Sequence, residues 1–121
     1  MNKTVGWGAI LAGLAVALGA FGAHGLKEHF AEGGEAWWQT GHHYMIVHAL
    51  AIIGYGLFSQ KKALPWLFTI GTLLFSGSLF VMAVTGIRWL GAITPLGGVC
   101  FIVGWGMFAW EALRSRPEAQ V

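Results

Sequence analysis

Few side chains in this sequence can do chemistry, and those few lie in apolar surroundings. His24 ends a run of about 20 uncharged residues that starts at Thr4, and His48 stands inside a second apolar stretch with Tyr44 one helical turn before it. Ionisable groups are costly in hydrocarbon, so an intramembrane histidine is a functional candidate by default, and neutral imidazole is also a usable donor and acceptor. Two chemistries follow. In the first, His24, Tyr44, His48 and Thr94 form a polar intramembrane cluster that joins helices, each bond worth about 1 kcal/mol. In the second, His24 and His48 ligate a metal ion or haem, a thin donor set with no carboxylate or thiolate beside it.

Nucleophilic catalysis finds no support in the pattern. Ser76 and Ser78 lack the glycine-flanked turn of a hydrolase nucleophile and an acidic partner nearby, so they read with Thr72 as interhelical hydroxyls. The single cysteine, Cys100, lies in an apolar run and can form neither an internal disulfide nor a cysteine metal cluster. His29, His42 and His43 read as wet interfacial residues. The expectation is a protein that is not an enzyme.

The elements that must position these groups are membrane helices. Only 10% of the residues are charged while 56% are hydrophobic, a composition suited to a chain whose solvent is mostly lipid. The spacing predicts an all-α, four-helix transmembrane bundle in a single domain over 1–121, with spans at about 4–26, 40–59, 64–86 and 90–112. On the first span Trp7, Ile10, Leu11, Leu14, Leu18 and Phe21 form a bulky arc for lipid. Gly6, Ala9, Gly13, Ala17 and Ala20 form a small arc, continued by His24, that is expected to face protein. A cleaved signal peptide needs no such packing surface. Residues 27–32 extend the first helix into the headgroups until Gly33-Gly34 breaks it, and Trp37 and Trp38 sit at headgroup level before the second span. Gly41, Tyr44, His48, Ala51 and Tyr55 make the polar face of that span.

Pro65 suits the first turn of the third span, which carries Thr69, Thr72 and Ser76 on one stripe and Gly71 and Ser78 on another. Thr94-Pro95 reads as a cap and first-turn proline, or as a kink if the fourth helix starts near Trp89. Phe80, Met82 and the tryptophans read as lipid contacts or belts. At 1.5 Å per residue, His24 comes about 4 Å inside one boundary and His48 about 9 Å inside the boundary near His42, within side-chain reach of each other.

Four spans put Lys3, Lys61, Lys62, Arg114 and Arg116 on one side and Lys27 and Arg88 on the other. The positive-inside rule then places both termini on the cytoplasmic side, with a bacterial cytoplasmic membrane as the expected location. No span has an interior Asp, Glu, Lys or Arg, which counts against a proton pump or ion-coupled carrier. A net charge of only +2, without a basic cluster, counts against a nucleic-acid partner.

Several stretches taken together carry a family likeness: Gly19-Ala-Phe-Gly-Ala-His24-Gly-Leu26, Trp38-Gln-Thr40, Tyr44 with His48-Ala-Leu-Ala51, Phe75-Ser-Gly-Ser-Leu-Phe80, Thr85-Gly86, Leu90-Gly-Ala-Ile-Thr-Pro-Leu-Gly-Gly98 and Gly104-Trp105. Over nearly its whole length the sequence resembles the domain-of-unknown-function family 423, small four-helix membrane proteins that include the animal transmembrane protein 256. The resemblance implies a multi-pass membrane protein with no assigned activity, and Gly41-His42-His43 departs from its pattern. The leading expectation is a non-enzymatic packing, lipid-binding or accessory subunit without a cofactor, its partners being membrane lipids and a homo-oligomer or partner membrane protein. The alternatives are a redox protein with metal or haem on His24 and His48, and a small-molecule carrier or oligomeric channel, which would need a polar cavity between spans two and three.

Overall fold

Chain punctuation divides the molecule into four helices: α1 (Lys3–His24), α2 (Gly34–Phe58), α3 (Ala63–Thr85) and α4 (Thr94–Arg114), with a short 3-10 turn, Arg88–Ala92, before the last. The computed structural model describes residues 1–115; Arg116 and Glu118 of the polar tail lie outside the described residues. The Asn2 side chain accepts from the Val5 N–H and caps α1. That helix stops at His24 rather than continuing toward Glu32, and the Ala31 N–H ties the following loop to the Ala83 carbonyl of α3 at 2.8 Å. Gly33, at φ 78°, takes the left-handed conformation that glycine adopts without penalty and turns the chain directly into α2. The second helix therefore begins six residues before the expected Thr40. Pro95 lies in the first turn of α4, which starts at Thr94, but the Thr94 hydroxyl caps nothing and bonds across to Ser78 instead.

Helices α1 and α3, and α4 with its preceding turn, are long and apolar enough to cross a membrane. At 25 residues α2 extends about 37 Å and is the helix whose polar side chains turn inward. Consecutive helices pack antiparallel. Trp38 sits over Gly22, His42 over Gly19, and Ala49 and Ile53 over Gly8, which sets the register of α1 on α2. The central pair is α2 and α3, where Gly34 approaches the Ala83 carbonyl and Gly41 lies beneath Phe80 and the Ser76 carbonyl. Ala49, Ile52, Tyr55, Leu64 and Phe68 fill the centre of the bundle.

The structure corrects the expected facing of α1. Its buried residues are Gly8, Leu11, Ala15 and Gly22, while Gly6, Ala9, Gly13, Ala17, Ala20 and His24 are exposed. Lipid accommodates small and large apolar side chains alike, so their segregation does not choose the buried side. The close approach of α2 at Gly8, Ala15 and Gly22, one every seven residues, chooses it. Trp38 is likewise no headgroup anchor: it is buried, and its indole N–H donates to the Leu18 carbonyl at 2.9 Å. Phe80 packs on its ring at 4.5 Å and Met82 is buried, so neither is a lipid contact of the kind expected. Trp37 remains half-buried at the helix end, with the Arg88 guanidinium 5.4 Å above its ring.

Candidate functional site

His48 occupies the middle of α2, and its surroundings come from three helices. The i, i+4 spacing of Tyr44 and His48 puts them on one face of α2, and the same spacing puts Phe101 and Trp105 on one face of α4. Phe68 arrives from α3. The imidazole lies parallel to Phe101 with ring centroids 3.6 Å apart, meets Phe68 edge to face at 5.0 Å, and is only 3% exposed.

Its protonation state follows from its partners. Nδ1 lies 2.7 Å from the Tyr44 carbonyl, which can only accept, so Nδ1 carries the proton. Nε2 lies 3.0 Å from Nε1 of Trp105, whose N–H can only donate, so Nε2 presents its lone pair. His48 is thus the neutral Nδ1–H tautomer with both nitrogens occupied. Binding a metal through Nε2 would first require breaking the Trp105 bond. Among the described residues no group of three or more His, Cys, Asp or Glu side chains lies close enough together to hold a metal ion.

The other expected cluster members lie elsewhere. His24 is exposed at the end of α1, and the pairing of His42 with Gly19 and of Ala49 with Gly8 sets His48 about twelve residues of helix away in depth, about 18 Å. The expected side-chain reach between the two histidines fails because α2 starts at Gly34, which carries His48 toward mid-bundle. Thr94 pairs with Ser78 at 2.6 Å; the single Ser78 proton points to the Phe75 carbonyl at 3.0 Å, so Thr94 donates. Tyr44 lies beside His48, but its ring packs on Phe75 at 4.4 Å and is 40% exposed. Ser76 donates to the Gly41 carbonyl at 2.6 Å, closing α3 onto α2 where a carrier would need a polar cavity. The Thr72 hydroxyl is buried and has no hydrogen-bond partner among the described residues.

Two polar contacts were not anticipated. Trp105, read as a belt residue, is the partner of His48. At the Lys62 end, the Tyr55 hydroxyl donates to Glu111 Oε2 at 2.6 Å, and Lys61 Nζ stands 3.3 Å from Glu111 Oε1. The signal for this second network was present: Glu111 is an acid closing an apolar span, topology puts it beside Lys61, and Tyr55 lies on the polar face of α2.

A helical bundle whose outer faces are apolar and whose polar groups pair inward is an integral membrane protein of several spans. A family model described as "Protein of unknown function (DUF423)" matches residues 18–98. The UPF0382 membrane protein YwdK of Bacillus subtilis is 45% identical, across 88% of this chain and 93% of its own. A UPF0382 membrane protein of Staphylococcus epidermidis is 43% identical, across 88% and 92%, and the UPF0382 inner membrane protein YgdD of Escherichia coli K12 is 39% identical, across 85% and 83%. No solved structure matches. The chain belongs to the DUF423 family of membrane proteins, in agreement with the resemblance carried by its sequence.

Proposed function

We propose that this protein is a non-enzymatic membrane subunit that acts through packing and through lipid or protein contacts, with His48 as an interhelical lock rather than a ligand. One observation carries the reading: the Trp105 indole N–H engages the Nε2 lone pair that a metal or haem iron would need. His24, which would have to supply the second ligand, is about 18 Å away in depth. On this reading both termini lie on the cytoplasmic side, supported by the charge asymmetry of Lys3, Lys61, Lys62 and Arg114 at one end against Lys27 and Arg88 at the other. Its partners on this reading are membrane lipids and another membrane protein or a further copy of the chain.

Absorption spectra and elemental analysis of detergent-purified wild type, His24→Ala and His48→Phe test the proposal. The expected result is colourless, metal-free protein in all three, with lowered stability in His48→Phe alone. A stoichiometric metal or haem band that disappears in His48→Phe would overturn it. Reporter fusions at each terminus test the orientation, and a translocated terminus would refute it.

A further inference from the structure

Helices α1 and α3 open with the same step. Lys3 is followed four residues later by Trp7, and Lys62 four residues later by Trp66. The two helices run in the same direction, and all four side chains line one groove of about 300 Å³ together with Thr4, Pro65 and Thr69. The Trp7 indole N–H donates to the Thr69 hydroxyl at 2.9 Å, and that hydroxyl donates to the Pro65 carbonyl at 2.7 Å, so one tryptophan wall is fixed across the two helices. Trp66, 63% exposed, forms the other. No acidic side chain lines the groove, and neither α1 nor α3 carries an acid in its first turn. Among the described residues the only ion pair is that of Lys61 with Glu111, and neither groove lysine meets an acidic partner there.

We propose that this groove is a binding site for one anionic glycerophospholipid, its phosphate between Lys3 and Lys62 and an acyl chain running between Trp7 and Trp66. The layering carries the inference: cationic heads stand at the helix starts, and amphipathic rings lie one turn deeper, where headgroup gives way to hydrocarbon. A free phosphate would use the lysines but not the two ring walls. The proposal rests on the lipid-contacting role proposed above and gives it a lipid class. It does not depend on His48.

Native mass spectrometry of detergent-solubilised protein with phosphatidylglycerol and phosphatidylcholine of matched chains tests it. Wild type is expected to retain one phosphatidylglycerol with about a thirtyfold preference, the size expected from two lysines at a membrane surface. The preference should fall to near parity in Lys3→Gln/Lys62→Gln and persist in Lys27→Gln/Arg88→Gln. Inorganic phosphate at millimolar concentration should not displace the lipid. Equal retention of both lipids by wild type, an unchanged preference in Lys3→Gln/Lys62→Gln, an equal loss in the other pair, or displacement by phosphate would each overturn the site while leaving the cofactor-free reading of His48 standing. Among the described residues neither lysine side chain makes a hydrogen bond or ion pair, so the double variant is expected to fold. Should it not, quenching by brominated phosphatidylglycerol against brominated phosphatidylcholine, in wild type and Trp66→Phe, decides the same question.

Discussion

Replacing His48 by Phe separates the two things its side chain does. The phenyl ring keeps the stack on Phe101 and the edge contact with Phe68 but removes both hydrogen bonds. The bond to the Tyr44 carbonyl lies within α2, so its loss reorganises little. The bond from Trp105 joins α4 to α2, and interhelical bonds of this kind average about 0.6 kcal/mol and reach about 1.7. His48→Phe should therefore cost about 1 kcal/mol. His48→Ala also removes a packed ring, and buried ring truncations cost about 3 kcal/mol or more. A double-mutant cycle of His48→Phe with Trp105→Phe isolates the pair, with a coupling of about 0.6 to 1.7 kcal/mol. The assay is SDS titration of protein in dodecyl maltoside micelles, followed by far-ultraviolet circular dichroism. Nitrogen-15 spectra should show Nδ1 protonated and Nε2 bare. Zero coupling, or a His48→Phe variant as unstable as His48→Ala, would refute the lock.

The same unfolding assay checks three further expectations. Gly22→Ala should cost about 1–3 kcal/mol because its methyl meets the Trp38 indole, whereas Gly13→Ala, with nothing within 4 Å, should be nearly neutral; equal effects would return the small arc of α1 to the protein side. Tyr55→Phe should cost about 1.5 kcal/mol by taking a donor from the Glu111 carboxylate, and Lys61→Ala should cost less than about 1 because Lys61 is 65% exposed; a reversed order would locate the end lock in the ion pair. Thr72→Val should be neutral or slightly stabilising, since it removes a buried hydroxyl with no partner, while Ser76→Ala should cost about 1 kcal/mol through the bond to Gly41; a destabilised Thr72→Val would mean that the hydroxyl has a partner in the membrane.

What could be read in advance was whatever lipid and chain punctuation dictate together. Long uncharged runs, Pro65 in a first turn and Gly86 after Thr85 gave α3 almost to the residue, because each acts on its own neighbourhood. Facing was harder, since it depends on a partner. In water an apolar stripe identifies the buried side of a helix, but in lipid both the bulky and the small arc of α1 are well solvated, and only the matching of Gly8, Ala15 and Gly22 to α2 decides. Trp38 and Trp105 were misplaced for the same reason. An indole suits the interface, yet its N–H finds as good a partner in the Leu18 carbonyl or in His48. The polar face of α2 was legible, and it accounts for His48 and Tyr55 being buried in the bundle. With His48 and Tyr55 inside its span, α2 would be poorly solvated alone in hydrocarbon, whereas α1, α3 and α4 can each face lipid directly. Packing α1 and α3 against α2, with α4 seated on α3, covers His48 with Trp105 and Tyr55 with Glu111, so assembly of the bundle is what makes α2 compatible with the membrane.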